Sequence, residues 1–284
     1  MRRLRSEQTG LSYLSSGADD APLVLCLHGF PDIPRTWAPL TQRLTDAGYR
    51  VVCPWLPGYA PSSLQGPFDA VTLAQTVLRF VDELSPSAPI RIVGHDWGSF
   101  ITQCAMSLRP ERFRAAAMLA VPHVLAIEAN IERYPRQLGR SAYMAFFQLP
   151  LLSDRIVRLG NFRFIERLWE IWSPEYDPGA EYFKELKVCL RSSMPAPIRY
   201  YRALRSPKVI LEVRRMLGAN PIVVPTIYLH GERDGCIGPE IAEGQENHFS
   251  ALFEMVKLAD AGHFLHLERT REVNAAILRW FEGH

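Results

Sequence analysis

The chain has 284 residues, 48% hydrophobic and 22% charged, as in an ordinary globular protein with room for one large domain carrying an insertion. Its 32 basic and 30 acidic residues leave a net charge of +2, which gives no electrostatic footing for nucleic acid. Five scattered cysteines (Cys26, Cys53, Cys104, Cys189, Cys236) make neither a disulfide framework nor a metal site, and are read as buried free thiols in a reducing compartment.

The first residues, Met1-Arg2-Arg3-Leu4-Arg5, are basic, but Ser6-Glu7-Gln8-Thr9-Gly10 follows where an export signal needs an apolar run, so a cytoplasmic protein is expected. No apolar run is long enough to enter and span a bilayer. Residues 10–16 read as an antiparallel edge strand. Short apolar runs at 22–27, 49–53, 90–93, 113–120, 226–229 and 253–258 read as buried strands. Between them, 37–47, 73–84, 98–108 and 271–281 have helical periodicity. This alternation predicts an α/β protein with a mostly parallel central sheet flanked by helices.

The alternation stops between about residues 122 and 222. That stretch has no strand signal and carries Arg, Tyr, Phe and Trp at helical spacing, as in 152–168. Pro135, Pro150, Pro174, Pro178, Pro195 and Pro197 punctuate it. The strand pattern resumes at Val223, and the last strands need the first sheet for pairing. A helical cap of residues 122–222, inserted after the sixth strand into a core of 1–121 and 223–284, is therefore expected. It should cover the carboxyl ends of the strands, where such sheets bind ligands.

Four segments at predicted strand ends carry chemistry. In Ile92-Val93-Gly94-His95-Asp96-Trp97-Gly98-Ser99 a strand runs through Gly-x-Asp-x-Gly directly into a helix, a turn that thrusts Asp96 outward. In Leu27-His28-Gly29-Phe30-Pro31-Asp32 the Phe30 N–H is placed beside that turn, forming an oxyanion hole with the Trp97 N–H. His28 is read as a buried turn histidine. The third segment, His230-Gly231-Glu232-Arg233-Asp234-Gly235, supplies an acid. The loop after 113–120 offers Glu128 but no aspartate, which leaves Asp234. The fourth, Ala261-Gly262-His263-Phe264-Leu265-His266, supplies a base. His284 is the last residue and His266 is expected to pack on the following helix, so the base is His263. The chain order is nucleophile, acid, histidine.

With these segments in order, the chain resembles the α/β-hydrolase superfamily, and within it the epoxide hydrolases and their haloalkane dehalogenase relatives. An aspartate is already ionised at neutral pH and needs no base to activate it. Its attack on an acyl carbon would give a mixed anhydride, whereas attack on an sp³ carbon gives an ordinary alkyl ester. His263, oriented by Asp234, then activates water against that ester. Esterase and lipase chemistry is disfavoured.

The resemblance also implies two ring-opening tyrosines. The segment Ser141-Ala142-Tyr143-Met144-Ala145-Phe146-Phe147 is similar to the one carrying the first, at Tyr143. Ile198-Arg199-Tyr200-Tyr201-Arg202 is similar to the second, at Tyr201, with Tyr200 as the register alternative. A dehalogenase instead needs indole N–H groups for halide. Trp97 fits both families, Trp169 or Trp172 offers a second indole, and Phe30 stands where many dehalogenases have a polar residue. The expected reaction is conversion of an epoxide to a vicinal diol, with haloalkane dehalogenation, or a silent binding protein of the same fold, as alternatives. Trp37, Phe146, Phe147 and Trp169, with Leu151, are expected around a small hydrophobic substrate. No cofactor or metal is implied, and a monomer or homodimer is expected.

Overall fold

The computed structural model describes residues 1–284. Its strands are Arg2–Arg5 (β1), Ser12–Ser16 (β2), Leu23–Leu27 (β3), Arg50–Pro54 (β4), Ile90–His95 (β5), Phe113–Leu119 (β6), Thr226–Gly231 (β7) and Phe253–Leu258 (β8). They form one sheet in the order β1-β2-β4-β3-β5-β6-β7-β8. β2 is antiparallel to both its neighbours, and the strands from β4 to β8 in that order run parallel.

The expected edge is the one correction to the sheet. The strand over 10–16 is interior, paired on one side to β4 and on the other to β1. All four residues of β1 are exposed and three of them are arginine, so its charge marks it as a solvated edge.

The helices are Ala38–Asp46 (α1), Ala70–Leu84 (α2), Trp97–Leu108 (α3), Val124–Asn130 (α4), Arg136–Arg140 (α5), Ala142–Phe147 (α6), Leu152–Ile156 (α7), Leu159–Trp172 (α8), Ala180–Ser193 (α9), Ala196–Ala203 (α10), Pro207–Ala219 (α11), Leu265–Glu268 (α12) and Thr270–Gly283 (α13). Because side chains alternate across a strand, β3 sends Leu23, Leu25 and Leu27 to one face and Val24 and Cys26 to the other. The first face is covered by α2 and α3, and its core continues into the helices that follow β6. The second is covered by α1 and α13. α4 to α11 all lie between β6 and β7. The helical pattern over 152–168 is broken in two, since Gly160, Asn161 and Phe162 have positive φ and interrupt it. All five cysteines are free and buried. No helix is long and apolar enough to cross a membrane.

What positions the site is the closeness of β3, β5 and α3. A Cβ built on Gly98 would lie 2.1 Å from the Leu27 carbonyl oxygen, and one on Gly29 would lie 2.3 Å from Asp96 Oδ1. Only hydrogen fits at either place. Gly98→Ala must push backbone from backbone, and overpacking of this kind costs about 1–3 kcal/mol. A fall in Tm of roughly 2–4 °C per kcal/mol is expected by calorimetry, with catalysis lost ahead of the fold. A variant as stable and as active as the native protein would show that this contact does not set the site.

Candidate active site

Asp96 stands between β5 and α3 with φ 51 and ψ −118, a backbone conformation an L-residue adopts only under constraint. The side chain is therefore lifted out of the sheet's carboxyl end while remaining buried. Its two oxygens have different surroundings. Oδ1 accepts a 2.6 Å hydrogen bond from the Phe30 N–H. Oδ2 lies 3.6 Å from His263 Nε2. The Trp97 N–H, expected as a second donor, makes no hydrogen bond to the carboxylate. As the first N–H of α3 it has no helical partner either, so it is left available.

His263 follows β8 and Asp234 follows β7, and both are fully buried. Asp234 Oδ2 accepts from His263 Nδ1 at 2.8 Å. Its Oδ1 accepts from the backbone N–H groups of Cys236 and Ile237 at 2.6 and 2.8 Å, which fixes the carboxylate plane. The His263 backbone is held as well. Its N–H donates to the Trp172 carbonyl at 3.0 Å, and its own carbonyl accepts from His95 Nε2 at 2.8 Å. Burial opposes the imidazolium form of His263, yet the charges of Asp234 and Asp96 outweigh it and raise the pKa to about 10.

Behind His263, side chains far apart in sequence meet. Asp32, His95 and His266 are buried with ligand atoms within 4.8 Å of one another, and Asp234, Cys236 and His263 form a second such group. Sequence spacing gives no hint of the first, or of Cys236 joining Asp234 and His263 in the second. Burial raises Asp32 to about 7 and lowers His266 to about 3. His266, expected to pack on the helix after it, meets that helix through its carbonyl, which accepts from Thr270 Oγ1, while its ring turns elsewhere. It stacks on Trp37 at 4.7 Å and bonds Thr36. His28 is a turn histidine, joined to the Gly29 carbonyl and to the Leu56 N–H.

A cavity of about 370 Å³ opens on Asp96, and Tyr143 and Tyr201 both line it. Their rings are 5.5 Å apart. Tyr201 Oη is buried without a partner, and Tyr143 Oη is 3.5 Å from Cys236 Sγ. Burial raises both phenols well above the ordinary value, so they stay protonated. Tyr200 is turned away, its hydroxyl donating to the Pro57 carbonyl.

The expected aromatic lining is corrected. Trp37 lies in the core on the other face of the sheet. Trp169 stacks on Phe264 at 3.4 Å and donates its indole N–H to the Pro31 carbonyl at 3.2 Å. Phe147 is buried behind the tyrosines against Phe30, Phe146 packs on Phe164, and Leu151 is 72% exposed. These large rings fill the interior instead of lining the cavity. The lining is mostly aliphatic, from α4, α6 and α11, including Val124, Ile127, Met144, Val209, Ile210 and Val213. Their helical periodicity was readable, but nothing in it tells which apolar face meets substrate and which meets the core.

A profile of the alpha/beta hydrolase fold family matches residues 22–270. The chain is 26% identical over 280 residues to the AB hydrolase superfamily protein YfhM of Bacillus subtilis, covering 96% of this chain and 94% of that one. It is 27% identical over 286 residues to Epoxide hydrolase 4 of Homo sapiens, covering 97% and 76%. Among solved structures, Epoxide Hydrolase A from Mycobacterium thermoresistibile superposes with a TM-score of 0.85 at 24% identity, covering 99% and 98%.

The charge on Asp96 is one cause of the raised His263 value, so Asp96→Asn should make His263 titrate at lower pH, read by NMR of the ring protons. Since the folded value exceeds the unfolded one near ~6.5, the imidazolium stabilises the fold most fully below that pH. This stabilisation is lost as the pH rises through about 10. The Tm gap between the native protein and His263→Gln should accordingly narrow over that range. A His263 titration unchanged by Asp96→Asn would disprove the coupling.

Proposed function

We propose that this chain, which belongs to the α/β-hydrolase-fold family, is an epoxide hydrolase that forms vicinal diols through an ester on Asp96. The observation that carries the reading is the pair of phenols, half-buried Tyr143 and buried Tyr201, that line the same cavity as the Asp96 carboxylate. Relatives named as epoxide hydrolases, aligned over nearly the whole chain, support it.

Asp96 Oδ2 attacks an epoxide carbon, and the carbon–oxygen bond breaks. The leaving alkoxide stays attached to the substrate and needs a proton at once. A phenol at Tyr201 or Tyr143 supplies it, since a phenol is more acidic than an alcohol and the two share the same cavity. Oδ1, already on the Phe30 N–H, becomes the ester carbonyl oxygen. Ester formation removes the Asp96 charge that had favoured the His263 imidazolium. His263 therefore yields its proton, which restores the phenol, and becomes the neutral base. It then deprotonates water, and hydroxide adds to the ester carbonyl while the Phe30 N–H holds the oxyanion on Oδ1. On collapse the bond between the Asp96 carbonyl carbon and the substrate oxygen breaks, that oxygen takes up the proton of the added hydroxyl, and the diol leaves the carboxylate beside the imidazolium. One epoxide and one water give one diol.

Dehalogenation is the second reading. A halide needs N–H dipoles, and with the Trp169 indole committed to the Pro31 carbonyl and no side-chain donor at Phe30, the indoles of Trp97 and Trp172 would have to supply them.

Asp96→Ala should abolish diol formation in a folded protein. His263→Gln should still be alkylated and then stall, giving an intact-mass adduct equal to one substrate. Tyr143→Phe and Tyr201→Phe should each slow alkylation by about a hundredfold, the usual loss for one such donor, and the double variant by more. Full epoxide turnover in the double variant, or haloalkane turnover in its place, would overturn the assignment.

A further inference from the structure

The cavity is one-armed. From Asp96 it runs outward between α4 and α11, ending among half-exposed Ile127, Val209 and Ile210. On the other side of the tyrosines there is no matching arm. Trp172 packs on Tyr143 at 5.0 Å and on His263 at 5.1 Å, Phe147 is wedged against Phe30 and Tyr201, and Trp169 and Phe264 stack face to face behind them. All four side chains are buried, at 1% exposure or less.

The wall chemistry limits the occupant further. The lining includes no lysine or arginine. Its outer carboxylate, Glu128, is paired with Arg214 Nε at 2.9 and 3.1 Å. Gln137 is spent on the Cys236 carbonyl, Ser141 Oγ and the Gly238 N–H. No positive charge is left to receive an anionic tail, and of the polar side chains in this outer part only the Ser141 hydroxyl keeps a donor. A volume of about 370 Å³ holds about a dozen non-hydrogen atoms, at roughly 30 Å³ apiece.

Resting on the epoxide reading, we propose that the substrate is a terminal, uncharged aliphatic epoxide of up to about ten carbons, its single alkyl arm lying between α4 and α11 and its unsubstituted side facing Trp172 and Phe147.

The test compares kcat/KM for 1,2-epoxyalkanes of increasing length with trans mid-chain isomers of equal carbon number. Terminal epoxides should gain about fourfold per added methylene, the equivalent of about 0.8 kcal/mol, and level off near ten carbons. The mid-chain isomers should be at least about a hundredfold poorer, like 1,2-epoxides ending in a carboxylate. Val213→Trp, with Ile127→Trp at the half-exposed end should the first fail to fold, should move the length optimum to shorter chains. Trp172→Ala should improve mid-chain isomers relative to terminal ones. Equal turnover of terminal and mid-chain isomers, or a uniform loss across all lengths in the tryptophan variants, would overturn the one-armed assignment while leaving the epoxide reading intact. Absence of turnover on every epoxide, with the fold confirmed by circular dichroism, would overturn both.

Discussion

Everything at the site depends on how closely α3 approaches the end of β3. The Leu27 carbonyl and the first turn of α3 touch across Gly98, just after the turn in which Asp96 stands. The residue takes φ 51, and its carboxylate is delivered over Gly29 to the Phe30 N–H. Strain in the backbone, the missing side chain at Gly29 and the 2.6 Å hydrogen bond are one arrangement seen from three atoms. A sheet with β3 and β5 any further apart would hold the same residues without the same geometry.

On that frame the site behaves as a charge-balancing device. Two carboxylates and an imidazole sit buried with little water to screen them, so the protonation of His263 depends on both carboxylates. With Asp96 charged, the imidazolium is the favoured form of His263. Neutralise Asp96 and the balance shifts toward the free base, although Asp234 still contributes the larger share of the imidazolium's stabilisation. In the proposed cycle the histidine becomes a base only once there is an ester for it to attack. Timing comes from electrostatics and requires no moving part.

Much of this was legible in the sequence, for a physical reason. Strand-end motifs such as Gly-x-Asp-x-Gly are local: the glycines, the turn and the exposed side chain all lie within a few residues, so Asp96, Asp234 and His263 could be named from the order of their segments. The sheet followed from apolar runs of strand length. Three things were not legible. β1 is four residues with an arginine-rich, wholly exposed pattern, and only pairing with β2 makes it a strand. The cluster of Asp32, His95 and His266 joins segments up to 234 residues apart, which no spacing rule reaches. The cavity wall was assigned to large aromatics, because aromatic content signals burial, but Trp37, Trp169 and Phe147 are spent on packing, and smaller aliphatic side chains do the lining.

That last division has a consequence for how such a protein can change over time. The groups that touch the reacting atoms on the core side hang from β3, β5, β7 and β8, whereas the outer wall belongs to α4 and α11 in the segment between β6 and β7. Val124, Ile127, Val209 and Ile210 are half-buried, and none carries a polar side chain joined to Asp96, Asp234 or His263. Substitutions there can accumulate at small cost to the fold and none to the charge balance. Selection can therefore revise what the cavity admits while the chemistry at its inner end stays under separate, much stricter constraint.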